Sequence, residues 1–126
     1  MIDSARHGPR VIVVEDEALV ALMMEDLLSD LGCEVVASFG GVDQAMAWLE
    51  EQDQDHTPDG ALLDINLGGQ LVYPLADALQ ARHTPFAFAT GYGNLRLDQR
   101  FAGVAVLTKP INASRLREVV RGFGRA

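Results

Sequence analysis

The sequence predicts a doubly wound α/β domain built on a five-stranded parallel sheet. Strand-like apolar runs and helical patterns alternate about five times along its 126 residues, which calls for crossover helices between parallel strands. Three of the runs lead into charge at one end. Val11-Ile12-Val13-Val14 ends in Glu15-Asp16, Ala61-Leu62-Leu63 ends in Asp64, and Val104-Ala105-Val106-Leu107 leads to Lys109-Pro110. Lys109 is the only lysine, against nine arginines. A compact ammonium with rotatable donors suits a chosen contact better than a generic surface position.

The elements follow in order. The first strand is 11–14. Glu17 opens a helix with the apolar stripe Val20, Met24, Leu27 and Leu31 at i, i+4, i+7 spacing, and Gly32 ends it. Met23 and Met24 read as core or part-core residues. A second strand, 34–37, is followed by Gly40-Gly41 and a second helix, 42–51, with Val42, Ala45, Met46 and Leu49 on one face. Residues 52–58 are a loop, 60–63 the third strand, and Gly68-Gly69 a turn before a third helix at 71–81. Pro85 introduces the fourth strand, 86–89, and 104–107 is the fifth. Leu116, Val119, Val120 and Phe123 form the stripe of a final helix, with Asn112 or Ser114 as its N-cap. The helical pattern at 93–103 is poor, so the fourth helix is expected to be short or mobile.

Length and composition point to one domain, 1–126, with residues 1–9 as a polar N-terminal tail. One cysteine, Cys33, rules out a disulfide framework and reads as a small buried filler. No signal peptide or membrane-length apolar run is seen, and the expected location is cytoplasmic. The net charge is −8, with fifteen acids and no Lys or Arg over residues 11–81. That balance argues against nucleic acid as a partner. Residues 82–126 carry eight bases and only Asp98 and Glu118 as acids, a docking face or a solvated helix face.

In an open parallel sheet, ligands bind beyond the carboxyl ends of the strands. Glu15, Asp16, Asp64, Thr90 and Lys109 all fall at that edge. A 2-1-3-4-5 strand order would put strands one and three side by side and crowd three carboxylates. At about 5 Å and an effective dielectric of 20, each like-charge pair costs roughly 3 kcal/mol. Such a cluster calls for a cation, and hard oxygen ligands without His or Cys select Mg²⁺.

Taken together, Glu15-Asp16, Leu62-Leu63-Asp64-Ile65-Asn66, Thr90 and Lys109-Pro110 resemble the receiver domain of two-component response regulators over nearly the whole chain. That resemblance implies the flavodoxin-like fold, with Asp64 as phosphoacceptor. It also implies Mg²⁺ held by Asp16, Asp64, Glu15 and the Asn66 carbonyl, with Lys109 and Thr90 on the phosphoryl oxygens. Pro85-Phe86-Ala87-Phe88-Ala89-Thr90-Gly91-Tyr92-Gly93 is similar to the signature of the FAT GUY receivers. These are mostly single-domain proteins paired with histidine kinases of the HWE type. The implied partner is thus a histidine kinase or histidine phosphotransferase, and the implied protein a stand-alone monomeric signaller or phosphate sink, not an enzyme. Receivers usually carry Tyr or Phe three positions before the lysine, where this chain has Val106, leaving Tyr92 as the candidate switch aromatic. Two other functions compete. A pseudo-receiver would lack an acid or the lysine, and neither is lost here. An aspartyl phosphatase would carry a second acid two residues after the nucleophile, where Asn66 stands. A calcium loop at 53–57 fails because Pro58 stands where glycine is needed.

Overall fold

The computed structural model describes residues 8–91 and 97–123. The central strand β1, Arg10–Val14, explains the architecture, because Val11 to Val14 are all fully buried. A strand apolar on both faces must be covered on both faces, as in a parallel sheet between helical layers. Alternation along the strand divides the core. Ile12 and Val14 pack with α2 (Val42–Glu50) and α3 (Tyr73–Ala81), whereas Val11 and Val13 pack with α1 (Ala18–Asp30) and α4 (Ala113–Arg121).

The remaining strands are β2 (Glu34–Phe39), β3 (Gly60–Asp64), a small antiparallel hairpin β4–β5 (Asn66–Leu67 and Gln70–Leu71), β6 (Phe86–Thr90) and β7 (Val106–Thr108). The five-stranded sheet is parallel throughout, in the order β2-β1-β3-β6-β7. This is the expected 2-1-3-4-5 arrangement, with β6 and β7 as the fourth and fifth strands and, among the described residues, four α-helices around it.

Several boundaries move for local reasons. β2 runs to Phe39 because it stays paired with β1 as far as Val14. The last strand starts at Val106, since Val104 closes a turn by donating its N–H to the Phe101 carbonyl. In α1 the deepest residues are Ala21, Met24 and Leu28, with Val20, Leu27 and Leu31 flanking them. Met23 is half exposed and not core, because the buried line passes one residue to its side. Asn112, not Ser114, caps α4, its Oδ1 accepting the Arg115 N–H at 3.1 Å. Cys33 is buried, and burial pushes its thiol pKa up.

Between β6 and β7 the described residues include a 3₁₀ turn, Gln99–Phe101, and the 93–96 part of the expected fourth helix lies outside the described residues. Asp98 caps it by accepting the Arg100 N–H at 3.0 Å. Phe101 is fully buried among Tyr73, Phe86 and Phe88.

Candidate phosphoacceptor site

The sheet register assembles the site. β1 and β3 are neighbours, and the Glu15 N–H reaches the Phe39 carbonyl at 2.9 Å, carrying the ladder one residue past β1. Asp64 is the last residue of β3 and lies opposite Ala89 of β6. Thr90 ends β6, and its carbonyl accepts the Lys109 N–H at 2.8 Å. Four strand tips thereby present their chemistry at one edge.

Among the described residues, Glu15, Asp16 and Asp64 can place carboxylate oxygens within 4.8 Å of one another. Lys109 Nζ sits 3.1 Å from Asp64 Oδ2, as a hydrogen-bonded ion pair, and 2.7 Å from Glu15 Oε1. Asp64 Oδ1 also accepts the Asn66 N–H at 3.2 Å, and Glu15 Oε2 accepts the Glu17 N–H at 3.1 Å. Glu15 and Asp64 are buried, at 3% and 6% exposure, while Asp16 is exposed. Burial lifts the Glu15 pKa above the ordinary carboxylate range, and Lys109 and the Glu17 N–H offset this only in part. Burial works against the Lys109 ammonium, yet the Glu15 and Asp64 carboxylates outweigh it and hold its pKa above normal.

A cavity of about 440 Å³ opens over this cluster, its lining including Asp16, Asp64, Thr90 and Lys109. Thr90 is buried. The lining also includes Gly68 and Gly69, in the loop of the β4–β5 hairpin, with Gly68 beside the Asp16 carboxylate. Both glycines have positive φ, 61° and 94°, which suits a two-residue hairpin turn. Asn66 Oδ1 accepts the Gly69 N–H at 2.8 Å and closes the turn. The sequence reading recognised a turn here but missed that it forms a wall of the site. The signal was the Gly-Gly pair between Asn66-Leu67 and Gln70-Leu71. Glu17 also lines the cavity and was read only as a helix opener.

The donor set fits a hard divalent cation. Every candidate ligand is oxygen, and the buried Glu15 Oε1 faces the Lys109 ammonium at 2.7 Å. The structure thus brings together Glu15, Asp16, Asp64, Thr90 and Lys109, with Asn66 beside them. Tyr92 lies outside the described residues. Val106, where an aromatic residue is usual, is half-buried and lies opposite Phe88.

Comparison with known proteins agrees with this geometry. No match was found among curated protein sequences. The solution structure of SdrG from Sphingomonas melonis Fr1 is 37% identical, with a TM-score of 0.79, covering 95% of this chain and 98% of that one. The signal receiver domain of a modulated diguanylate cyclase from Desulfovibrio desulfuricans G20 is 30% identical, with a TM-score of 0.76 and coverage of 90% and 91%. The response regulator PhyR from Brucella abortus is 25% identical, with a TM-score of 0.73 over 95% of this chain, which spans about half (49%) of that one. The family model of the response regulator receiver domain matches residues 11–121, and the chain belongs to that family.

Proposed function

We propose that this chain is a stand-alone receiver in which Asp64 accepts a phosphoryl group from a phosphohistidine. The observation that carries this reading is the placement of Asp64. It is a carboxylate at a strand tip, lining an open cavity, with Lys109 Nζ at 3.1 Å and two further acids beside it. The carboxylate oxygen attacks phosphorus, the P–N bond to imidazole breaks, and its electron pair leaves with the ring nitrogen. An acyl phosphate results. The protein's task is positioning and charge neutralisation. Lys109 exchanges its carboxylate contacts for a phosphoryl oxygen, and the Thr90 hydroxyl takes another. Mg²⁺, when bound by Asp16, Asp64, Glu15 and the Asn66 carbonyl, offsets the repulsion between the phosphoryl group and the carboxylates. SdrG, 37% identical, has a BeF3-activated conformation, which supports an acceptor carboxylate in this fold.

The donor in this reading is a histidine kinase of the HWE type, to which the Pro85 to Gly93 motif points, or a phosphotransferase. The receiver is a cytoplasmic monomer spanning 1–126 that signals by protein contact or serves as a phosphate sink. No helix among the described residues is long and apolar enough to cross a membrane. The test is labelling by phosphoramidate with Mg²⁺. Wild-type protein gains one acid-stable, base-labile phosphoryl group, and Asp64→Asn gains none. Equal labelling of both would overturn the assignment.

A further inference from the structure

The loop of the β4–β5 hairpin meets the acceptor cavity with two glycines, Gly68 and Gly69, and so with backbone alone. Positive φ favours glycine at both, but their surroundings differ. A Cβ on Gly68 would stand 3.6 Å from Asp16 Oδ2, whereas one on Gly69 would meet nothing within 4 Å. Gly68 therefore faces the exposed acid of the cluster across a gap that any side chain would enter. Backbone strain ranks the two the other way. The φ of 61° at Gly68 lies near the centre of the left-handed region, which other residues reach more readily than the 94° of Gly69.

The hairpin that carries Gly68 is held at both ends. At its base the Val72 N–H donates to the Ile65 carbonyl at 2.9 Å. At its tip Asn66 Oδ1 accepts the Gly69 N–H at 2.8 Å. Leu67 and Val72 are buried and pack into the core between Ile65 and Leu75. A loop anchored by buried side chains and by hydrogen bonds at base and tip does not swing aside to make room.

The gap matters because of the ion that the acids are suited to hold. Mg²⁺ demands near-octahedral oxygen geometry and dehydrates reluctantly, so it keeps waters wherever protein ligands leave positions open. With Asp16, Asp64, Glu15 and the Asn66 carbonyl as ligands, about two of its positions remain for water or a phosphoryl oxygen. Resting on the Mg²⁺ site of the reading above, we propose that Gly68 sets the affinity of that site. Lacking a side chain, it leaves room beside Asp16 for a water of the ion's shell, and a methyl group there would displace that water. The hairpin turn thus sets the Mg²⁺ concentration at which Asp64 becomes competent, and Gly69 serves the turn alone.

The experiment reads Mg²⁺ binding without any phosphoryl donor, from the rise in melting temperature with Mg²⁺ concentration. Gly68→Ala and Gly69→Ala each add one methyl to the same loop. Gly68→Ala should stay folded in EDTA, because its methyl makes only an ordinary contact with Asp16. Its apparent dissociation constant for Mg²⁺ should nevertheless rise by roughly tenfold or more, the loss usual when the surroundings of a metal's ligands are altered. Gly69→Ala should stay within about twofold of wild type, although its backbone strain is greater, because its methyl meets open space. Wild-type affinity in Gly68→Ala, or equal losses in the two variants, would overturn the role of Gly68. So would a Gly68→Ala protein that fails to fold in EDTA, since the contact would then be a clash that needs no ion. A wild-type protein that Mg²⁺ does not stabilise would instead sink the metal site of the reading above.

Discussion

Tyr73 lies over Phe101, with ring centroids 5.3 Å apart and planes inclined by 25°, and its hydroxyl accepts the Asp98 N–H at 3.1 Å. One side chain at the start of α3 thereby holds the segment that precedes β7. Arg100 adds to the contact. Its guanidinium sits 5.0 Å from the centre of the Phe101 ring and pairs with Asp77 of α3 at 3.2 Å. Tyr73→Phe keeps the stack and loses the acceptor, which is expected to cost about 1 kcal/mol. Hydrogen exchange at the Asp98 amide should accelerate in that variant, while amides of β1 stay protected. Unchanged Asp98 exchange would show that the hydroxyl does not hold the segment.

Lys109 is the counter-charge for two buried carboxylates. Lys109→Met keeps much of the side-chain volume but leaves Glu15 and Asp64 without it. An unfolding free energy lower by about 1–3 kcal/mol is expected from urea denaturation in EDTA. Mg²⁺ should restore more stability to the variant than to wild type, because the cation replaces the missing charge. Phosphoramidate labelling should fall steeply even when Mg²⁺ is saturating, since the phosphoryl oxygen loses its cationic partner. Labelling at the wild-type rate would exclude Lys109 from the reaction.

Metal removal tests the acidic cluster directly. At ten times its dissociation constant, Mg²⁺ should stabilise the fold by roughly 1.4 kcal/mol through mass action. Asp16 is the exposed acid of the three, so Asp16→Asn is not expected to disturb the core. The variant should lose most of the Mg²⁺-dependent rise in melting temperature. An equal rise in both proteins would remove Asp16 from the metal site.

Much of this site could be read from the chain because the parallel fold converts local sequence into position. An apolar run ending in Glu15-Asp16 or Asp64 is visible without knowing any contact, and the strand order then brings the tips together. The stripe of α1 was displaced by about one residue because a helix apolar at Val20, Ala21, Met24, Leu27 and Leu28 allows neighbouring choices of centre. Short-range spacing could not choose among them; packing against Val11 and Val13 does. The β4–β5 hairpin was missed because two-residue strands carry no periodicity. The Tyr73–Phe101 stack joins residues 28 positions apart, and no local pattern announces it. Whether Tyr92 replaces the aromatic missing at Val106 falls outside the described residues.

Gly60 opens β3 against the far end of the molecule, beneath the ring of Phe123. A Cβ added there would collide with that ring, and Phe123 is itself buried. The glycine is thus required by close packing, since its backbone lies in an ordinary strand. Gly60→Ala should destabilise the domain by about 1–3 kcal/mol, the usual cost of overpacking a filled site. Phe123→Leu alone removes packing and should also destabilise. Combined with Gly60→Ala, however, the smaller side chain makes room for the new methyl, so the double variant should be less damaged than the sum of the two. A coupling of about 0.5 kcal/mol or more from urea denaturation of the four proteins would establish the contact. Strict additivity would show that the Phe123 ring does not press on Gly60 in solution. Because this contact sits at the end of β3 opposite Asp64, phosphoramidate labelling of folded Gly60→Ala should match wild type, separating a stability defect from a defect at the acceptor.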